Sequence, residues 1–327
     1  MKKILITGGA GFLGSHLVNK LKNDYKIVIV DTLKGVGGIP YVPTDIIHLN
    51  YDITDKKLYQ ELNNHNFFAI YHLAAQSAGE PAYDNPQYDI MNNSYGTCLM
   101  AKYCMEKEIK RFIYTSTVAV YGTSKNKNIF DENSPILPDS IYGVSKYSGE
   151  LFVKQFLSAS KSNFTIFRVF NTYGPGENLN YLKKGMVSIY ASYIWRNLPI
   201  IVKGSVNRYR NFLYVDDNIN ALTKSLNHGS AFNQIYNLSG GDKVLVKDLL
   251  KIMIKKAGKN SDYPIIEEKN TPGDSFGTHG RIDKIRSDLN WDPKVTLDKG
   301  LESYFEWINR IPVSDDISNY HIYNMEE

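Results

Sequence analysis

The sequence lacks the features that mark several broad classes of protein. Its 327 residues include only two cysteines, Cys98 and Cys104, and their spacing is not that of a metal site. No apolar stretch approaches the ~18 residues that a membrane-spanning helix needs. The basic and then apolar start over residues 1–6 is far too short for a signal peptide. We therefore expect reduced thiols, a cytoplasmic location, no bound metal and no membrane partner.

The excess of positive over negative charge is also small. The formal net charge is only +4 and no long basic run is present, so the composition does not favour nucleic acid as a partner. This mild positive charge suits anionic small molecules. Hydrophobic residues make up 43% and charged residues 22%, which is ordinary for a globular protein. A chain of 327 residues can form one large domain or two modest ones.

A cluster of glycines lies close to the start of the chain. A short apolar run over residues 4–6 is followed by Gly8, Gly9, Gly11 and Gly14, and a helical pattern begins at once. Strand, tight turn and helix form the context of a dinucleotide-binding fingerprint. Glycine leaves no side chain between backbone and ligand, so a pyrophosphate can approach the amides at the positive end of the helix.

An acidic residue follows the second apolar strand. Asp31 stands at the end of this strand, twenty-two residues after Gly9. A carboxylate at that place can accept hydrogen bonds from both hydroxyls of an adenine ribose, and it would repel a 2′-phosphate. The sequence therefore predicts NAD rather than NADP as the cofactor.

Short β-rich runs alternate with amphipathic segments in the N-terminal half. This alternation is typical of βαβ units and predicts a parallel sheet. The predicted strands cover residues 4–7, 27–30, 46–50, 68–73, 111–115 and 164–169, and the predicted helices cover 15–22, 56–63, 91–107 and 142–158.

After the segment Gly174-Pro175-Gly176, the alternation of predicted strands and helices becomes less regular. The pattern predicts helices over 186–195, 217–226, 246–257, 283–289 and 297–308, an extended segment over 200–202, and a loop over 264–280. Asp216 is the expected N-cap of the helix over 217–226.

A phenol and an ammonium group stand four residues apart at Tyr142 and Lys146. On a helix these two side chains share one face. A free tyrosine, with a pKa of about 10, is a poor base at neutral pH, but a neighbouring positive charge favours the phenolate. Tyr142 can then take a proton from a hydroxyl group of a substrate. The hydroxyl-rich strand end Thr115-Ser116-Thr117 is expected to face the same crevice.

Taken together, these motifs resemble those of the extended short-chain dehydrogenase/reductase family, especially its nucleotide-sugar epimerases of the UDP-glucose 4-epimerase kind. The resemblance runs from Lys3 to Pro293 and includes the glycine motif, the Tyr/Lys pair and seven further segments. These segments are Asp52-Ile53, His72-Leu73-Ala74-Ala75, Asn93-x-x-Gly96-Thr97, Thr115-Ser116-Thr117, Phe170-Asn171-x-x-Gly174-Pro175-Gly176, Arg210-Asn211-Phe212 and Pro272-Gly273-Asp274.

The resemblance implies an α/β fold, a doubly wound Rossmann sheet with a smaller α/β substrate-binding domain. Residues 1–172 and 213–238 would form the NAD-binding domain, and residues 173–212 and 239–327 the nucleotide-sugar-binding domain. The implied cofactor-binding residues are Gly8, Gly11, Phe12, Leu13, Gly14, Asp31, Asp52, Ile53, Leu73, Ala74, Ala75, Gln76, Asn93, Thr115, Tyr142 and Lys146. The implied substrate-binding residues are Thr117, Tyr142, Asn171, Arg210 and Thr278.

The resemblance also implies catalytic roles for Thr117, Tyr142 and Lys146. Tyr142 would remove the proton of the sugar 4-hydroxyl, and Lys146 would lower the pKa of Tyr142 and hold the nicotinamide ribose. Thr117 would bind the developing oxyanion. Asn93 would brace the site, and Arg210 would grip the nucleotide phosphates.

Three departures from the family pattern carry information. Dehydratases of the family follow the catalytic threonine with Asp and Glu, whereas this chain has Val118 and Ala119, which argues against dehydration. Thr271 stands where a phosphate-binding arginine is usual, so phosphate binding would depend more on Arg210, with help from Arg208. Arg281 is a third departure, which would either supply charge to the nucleotide or lie on the surface.

These features predict NAD-dependent 4-epimerisation of a nucleotide-diphosphate sugar, with a UDP-sugar expected. A nucleotide-sugar 4-dehydrogenase or reductase is the alternative enzyme, and a redox-silent NAD-sensing regulator is the alternative of another class. A homodimer is expected, formed by the helices over 91–107 and 142–158 with Tyr95, Leu99, Tyr103, Phe152 and Phe156 on the contact surface.

Four single side chains have predictions of their own. Thr278 falls where the family places a residue beside the C2 substituent of the sugar, and its small side chain would admit a 2-acetamido group. His72 is expected to be a buried histidine with its hydrogen bonds satisfied, and Lys183 and Lys184 to be solvated.

Overall fold

The computed structural model describes residues 1–35, 41–123, 129–270 and 276–312. A seven-stranded parallel sheet in the order β12-β7-β5-β4-β1-β2-β3 forms its centre, which confirms the predicted Rossmann-type α/β fold. The strands of this sheet are β1 (Lys3–Thr7), β2 (Lys26–Val30), β3 (Ile47–Leu49), β4 (Ala69–His72), β5 (Arg111–Thr117), β7 (Asn163–Val169) and β12 (Gln234–Leu238).

Helices cover both faces of this sheet and continue into the C-terminal part. Those described are α1 (Phe12–Leu21), α2 (Lys56–Leu62), α3 (Gly79–Asp84), α4 (Pro86–Asp89), α5 (Thr97–Glu106), α6 (Ile141–Leu157), α7 (Met186–Trp195), α8 (Val215–Ser225), α9 (Val246–Lys256), α10 (Asp283–Leu289) and α11 (Leu297–Ile308). A π-helical segment, Ile90–Gly96, joins α4 to α5.

Shorter strands form two-stranded sheets beside the cleft. They are β6 (Ile129–Phe130), β8 (Asn171–Tyr173), β9 (Ile200–Lys203), β10 (Tyr209–Arg210), β11 (Phe212–Tyr214), β13 (Val244–Leu245), β14 (Ile265–Glu268) and β15 (His279–Gly280). The pairs are β8 with β11, β9 with β14, β10 with β13 and β6 with β15.

The central strands are apolar without a break because the sheet is buried on both faces. Side chains alternate between two hydrophobic clusters, so that Ile4 and Ile6 pack on one side while Leu5 packs on the other. Strand β1 has β4 on one side and β2 on the other, and the chain reverses its direction of winding there. A crevice at the carboxyl ends of the strands on either side of such a switch point is where this class of sheet binds ligands.

Several element predictions need correction. The sequence analysis missed β12, and the segment over 264–280 was wrongly predicted as a loop, because β14 and β15 lie within it and pair with β9 and β6. Asp216 is not an N-cap, since α8 starts one residue earlier at Val215. Its neighbour Asp217 instead accepts hydrogen bonds from the amides of Lys294 and Val295, both at 2.9 Å.

One predicted surface residue is also buried. Tyr103 on α5 is only 5% exposed, because it packs in the hydrophobic core, and its hydroxyl donates to the carbonyl of Leu62 at 3.0 Å. Tyr95 is 41% exposed, and the exposed apolar side chains of α6 are Val144 and Leu151, at 54% and 47%.

A buried ion pair attaches helix α6 to the sheet. Glu150 accepts two hydrogen bonds from the guanidinium of Arg168 on β7, at 3.0 and 2.8 Å, and a third from Ser116 Oγ on β5 at 2.6 Å. Arg168 also donates to the hydroxyl of Tyr121 at 3.0 Å. The side chains of Glu150 and Arg168 are 0% and 3% exposed. The pair therefore fixes where the helix lies against two strand ends.

Glu150→Gln should lower the free energy of unfolding by about 3–5 kcal/mol, because it leaves the Arg168 charge buried without its partner. Urea unfolding followed by far-ultraviolet circular dichroism measures this loss. The matched control is Glu108→Gln, which removes an exposed ion pair with Lys161 and should change stability little. Equal effects of the two substitutions would contradict the assigned importance of the buried pair.

Candidate active site

A cleft of about 590 Å³ opens at the carboxyl ends of the central strands. It brings together residues from distant parts of the sequence, and its lining includes every predicted cofactor and substrate residue except Asn93. These residues are Gly8, Gly11, Phe12, Leu13, Gly14, Asp31, Asp52, Ile53, Leu73, Ala74, Ala75, Gln76, Thr115, Thr117, Tyr142, Lys146, Asn171, Arg210 and Thr278.

The glycine turn passes closer to neighbouring backbone than any side chain would allow. Gly8 has a φ of +69°, and a Cβ atom there would lie 2.6 Å from the backbone nitrogen of Ala74. Gly14 packs against the backbone of Gly8 and Gly9 with no room for a Cβ. This close packing brings the first turn of α1, with its unpaired amides, to the edge of the cleft. The turn fits the pyrophosphate of a dinucleotide.

The Asp31 carboxylate is fixed beside this turn. One of its oxygens accepts a hydrogen bond from the Ala10 amide at 3.0 Å, and the other accepts one from the Leu33 amide at 2.8 Å. The negative charge is therefore held in the cleft next to the glycine turn, the place where a dinucleotide ribose would lie. The residues at this end of the cleft fit NAD.

Tyr142 and Thr117 meet where strand β5 ends. Ser140 caps helix α6, and its hydroxyl accepts a hydrogen bond from the Gly143 amide at 3.1 Å. This cap places Tyr142 in the first turn, where its side chain is hydrogen-bonded to that of Thr117. Burial raises the pKa of Tyr142, while the hydrogen bond from Thr117 opposes that rise. The tyrosine therefore needs a positive charge nearby to act as a base at neutral pH.

Lys146 lies one turn further along α6 and is 2% exposed. Its ammonium group lies 4.3 Å from the centre of the Tyr114 ring. Burial lowers the pKa of Lys146 to about 7, against the opposing charges of Asp89 and Glu150. A lysine with this pKa can gain or lose a proton near neutral pH, which is the behaviour expected of a functional site.

Asn93 lies behind the cleft rather than in its wall. It belongs to the π-helical segment and is 0% exposed. Its side-chain amide donates to Ser145 Oγ on α6 at 3.1 Å. Asn93 therefore contacts the residue between Tyr142 and Lys146, a position from which it can brace the catalytic helix.

Two buried arginines also line the cleft. Arg208 and Arg210 are 3% and 5% exposed. Burial and the like charge of Arg208 lower the pKa of Arg210 to about 10. Two like charges that lie together in a partly buried cleft favour an anionic ligand, and guanidinium groups match phosphate geometry.

Two of the departures from the family pattern are Thr271 and Arg281, and the structure describes only the second. Thr271 lies outside the described residues. Arg281 is exposed and forms an ion pair with Asp283 at 2.8 Å, and it is not part of the cleft lining. Of the two options, the structure places Arg281 on the surface.

Asn171 and Thr278 complete the predicted substrate end. The Asn171 side-chain amide donates to the carbonyl of Asn211 at 3.1 Å, and Asn171 lines the cleft. Thr278 is 8% exposed, and within the described part of the chain its hydroxyl has no hydrogen-bond partner. A buried hydroxyl of this kind is suited to a polar ligand group.

Sequence analysis missed Glu177 and misjudged Lys184. Glu177 is 5% exposed, and burial raises its pKa to about 7. Lys184 was wrongly predicted to be solvated, because it lines the cleft and donates to Ser77 Oγ at 2.5 Å. Burial lowers the pKa of Lys184 to about 8, against the charge of Glu177. Neither residue stands in a motif, since the cleft forms only when the segment over 177–184 folds back over residue 77.

The remaining single-residue predictions can be compared directly with the structure. His72 is fully buried between the hydroxyls of Thr7 and Thr97, at 2.7 and 3.0 Å, and burial lowers its pKa to about 3. Lys183 is exposed and pairs with Asp84.

Among the described residues, no cluster of His, Cys, Asp and Glu could hold a metal ion, and no helix is long and apolar enough to span a membrane.

Comparison with known proteins connects this site to a family. The family described as GDP-mannose 4,6 dehydratase matches residues 5–304. A putative UDP-glucose 4-epimerase of Methanocaldococcus jannaschii is 33% identical over 307 residues, which are 93% of this chain and 98% of that protein. A dTDP-D-glucose 4,6-dehydratase of Homo sapiens is 30% identical over 320 residues, 94% of this chain and 89% of that protein.

Two solved structures are similar in fold over 94% of this chain. The UDP-glucose 4-epimerase of Thermotoga maritima, solved with UDP-glucose, is 28% identical, with a TM-score of 0.87 and 98% of its chain covered. The UDP-glucuronic acid 4-epimerase of Bacillus cereus, solved with UDP-glucuronic acid and NAD, is 26% identical, with a TM-score of 0.85 and 99% covered. These relatives confirm the predicted resemblance and the prediction of NAD as the family's cofactor. The chain belongs to the GDP-mannose 4,6 dehydratase family of extended short-chain dehydrogenases/reductases, NAD-dependent epimerases and dehydratases of nucleotide sugars.

Proposed function

We propose that this protein is an NAD-dependent 4-epimerase of a nucleotide-diphosphate sugar, with a UDP-sugar as substrate. One observation carries the choice of epimerase over dehydratase. The two residues after Thr117, Val118 and Ala119, line the cleft and are apolar, so no acid or base stands beside Thr117 at these positions. Loss of water needs such a group to move protons.

The catalytic residues have distinct roles in this proposal. Tyr142 accepts the proton of the sugar 4-hydroxyl, and Lys146 stabilises the phenolate with its charge. Thr117 donates a hydrogen bond to the oxygen as negative charge develops on it. Bound NAD supplies the redox chemistry, and the Asp31 carboxylate favours NAD over NADP. The hydride of C4 would be taken up by the cofactor and given back. The 4-keto sugar must turn in the cleft so that the hydride would return to the other face of C4, while Tyr142 returns the proton to the C4 oxygen.

The substrate's diphosphate is assigned to the end of the cleft that contains Arg208 and Arg210. Asn171 also lines the cleft, and in this proposal the sugar extends from the arginines toward Tyr142. We assign residues 1–172 and 213–238 to the cofactor half of the molecule, and residues 173–212 and 239–327 to the nucleotide-sugar half.

Two other activities are less well supported. A net 4-dehydrogenase or reductase would use the same Tyr142 and Lys146, and it differs in releasing a reduced or oxidised cofactor. A redox-silent NAD-sensing regulator has no need of a buried Tyr/Lys pair with perturbed pKa values, so the presence of this pair disfavours that function.

We also propose a homodimer. Its interface is formed by the π-helical segment together with α5, and by α6. Tyr95, Val144 and Leu151 are exposed apolar side chains on these elements. Leu99, Phe152 and Phe156 are half-buried beside them, whereas the buried Tyr103 is excluded from this surface. Exposed apolar side chains on adjacent helices are typical of a subunit interface.

Wild-type protein should convert a UDP-sugar to its C4 epimer without net formation of NADH, and Tyr142→Phe should abolish that turnover because the base is lost. The protein is incubated with UDP-, GDP-, CDP- and dTDP-sugars. Proton NMR then measures formation of the epimer, and absorbance at 340 nm measures formation of NADH. Tyr147→Phe removes a neighbouring phenol outside the cleft and serves as the control. Stoichiometric NADH would favour a dehydrogenase, and activity in Tyr142→Phe near the control's would exclude Tyr142 as the base.

Arg210→Ala should raise KM for the nucleotide sugar by roughly 10–150-fold, the equivalent of ~1.5–3 kcal/mol for a lost charge-assisted contact to phosphate. Initial rates at varied substrate concentration measure this change, with circular dichroism to verify folding. Arg281→Ala removes an exposed arginine outside the cleft and should leave KM unchanged. An unchanged KM in Arg210→Ala would place the diphosphate elsewhere.

Thr278→Tyr should lower activity on a UDP-2-acetamido sugar more than on UDP-glucose or UDP-galactose, because added bulk beside C2 overlaps the acetamido group. The measurement is kcat/KM for both sugars, with Thr278→Ser as the control that keeps the pocket open. If both sugars lose activity to the same extent, Thr278 does not set sugar size.

A further inference from the structure

A carboxylate with no role in the mechanism above is buried directly behind the catalytic helix. Asp89 is the last residue of α4 and is 0% exposed. It does not line the cleft, so it can touch neither cofactor nor substrate. A buried acid must be held by hydrogen bonds or by a counter-charge, because an isolated charge is costly to remove from water.

Three side chains from different elements form hydrogen bonds with this carboxylate, those of Gln76, Ser145 and, in the π-helical segment, Asn93. Oδ1 accepts from Gln76 Nε2 at 2.7 Å, and Oδ2 accepts from Ser145 Oγ. The first donor lies in the segment after β4 and the second on α6. Asp89 therefore links the cofactor-side segment that contains Gln76 to the helix turn between Tyr142 and Lys146.

The direction of the hydrogen bonds from Gln76 and Ser145 is determined by their surroundings. Gln76 Oε1 accepts from the Ala78 amide at 2.5 Å, so the Gln76 amide nitrogen is the atom that faces Asp89. Ser145 Oγ accepts from the Asn93 amide at 3.1 Å, which leaves its single proton for Asp89 or for the Tyr142 carbonyl at 3.0 Å. Both neighbours can thus donate, and a carboxylate oxygen is the matching acceptor. Burial raises the pKa of Asp89, whereas these hydrogen bonds and the charge of Lys146 act to lower it.

A positive charge that acts on this carboxylate is that of Lys146, the residue after Ser145, whose hydroxyl is hydrogen-bonded to Asp89. The charges of Asp89 and Lys146 act on each other, and that of Asp89 is the larger of the two carboxylate effects on Lys146. The other carboxylate, Glu150, already forms a bidentate pair with Arg168. Tyr114 on β5 and His72 on β4 also face Lys146, and burial keeps that histidine neutral. Tyr142 shares the helix face of Lys146, and the charge of Asp89 raises the pKa of Tyr142.

We propose that Asp89 is a positioning residue of the catalytic pair. Its carboxylate holds the Ser145 turn of α6 against the Gln76 segment and is the counter-charge that keeps the buried Lys146 protonated. The consequence for turnover rests on the proposed function, because it assumes that Lys146 must be charged to assist Tyr142. The interaction between the two charges is a property of the protein itself and can be measured without a substrate.

The direct test follows the titration of Lys146 by NMR in protein labelled with ¹³C at the lysine ε-carbon. The Lys146 signal is the one that is missing in Lys146→Met. In Asp89→Asn, which preserves the shape of the side chain, the Lys146 titration midpoint should fall by about one pH unit or more. The control Asp216→Asn removes an exposed carboxylate on α8 and should leave the midpoint unchanged. The same midpoint in Asp89→Asn and wild type would overturn the proposal.

A reciprocal measurement covers the case in which Asp89→Asn does not fold. The ¹³C signal of the Asp89 carboxyl, assigned through the bonds from its own backbone, is titrated in wild type and in Lys146→Met. Loss of the lysine charge should raise the pKa of Asp89, because coupling between two charges is mutual. An unchanged pKa of Asp89 would overturn the proposal.

Kinetics then separate positioning from substrate contact. Asp89→Asn should lower kcat about tenfold or more while KM for the nucleotide sugar changes little, because Asp89 orients the catalytic helix without touching the ligand. A rise in KM with unchanged kcat would contradict this role. If no nucleotide sugar is turned over by the wild type, the proposed function fails, while the two NMR titrations still decide whether Asp89 and Lys146 are coupled.

Discussion

The ion pair between Glu150 and Arg168 sets the position of the catalytic helix, on which the rest of the site depends. Tyr142, Lys146 and Glu150 follow one another at four-residue intervals, so they form a single stripe along α6. Glu150 is tied to β7 through Arg168 and to β5 through Ser116, the residue next to Thr117. Anchoring one end of the stripe to the strand that supplies Thr117 brings Tyr142, at the other end, to that threonine's hydroxyl.

The cleft separates two kinds of electrostatic environment. At the catalytic end, burial lowers the pKa of Lys146 to about 7, against the opposing charges of Asp89 and Glu150, which are themselves hydrogen-bonded. Elsewhere in the lining, the like charges of Arg208 and Arg210 act on each other. A ligand with a diphosphate at one end and a hydroxyl-bearing ring at the other matches this division, which is the physical basis of the proposal for a nucleotide sugar.

The sequence could predict those parts of the site that depend on local spacing. The glycine turn, Asp31 after its strand and the Tyr142/Lys146 pair are each determined within a few residues, and the helices Met186–Trp195, Asp283–Leu289 and Leu297–Ile308 have the predicted bounds. The parts that it could not predict depend on contacts between remote segments. Strand β12 contains the buried Asn237, which bonds to Tyr121, 116 residues away, and lacks the apolar alternation of a typical strand. Asp89 acquires its role from Ser145, 56 residues further along the chain.

The central claim is that the reaction begins and ends at the same carbon of the sugar. The most direct measurement uses a UDP-sugar that carries deuterium at C4 and is incubated with wild-type protein in ordinary water, with the products followed by NMR. The account predicts that the C4 epimer forms and keeps its deuterium at C4, because Tyr142 exchanges only the hydroxyl proton with solvent. Loss of deuterium from the sugar, or accumulation of a 4-keto product, would contradict it.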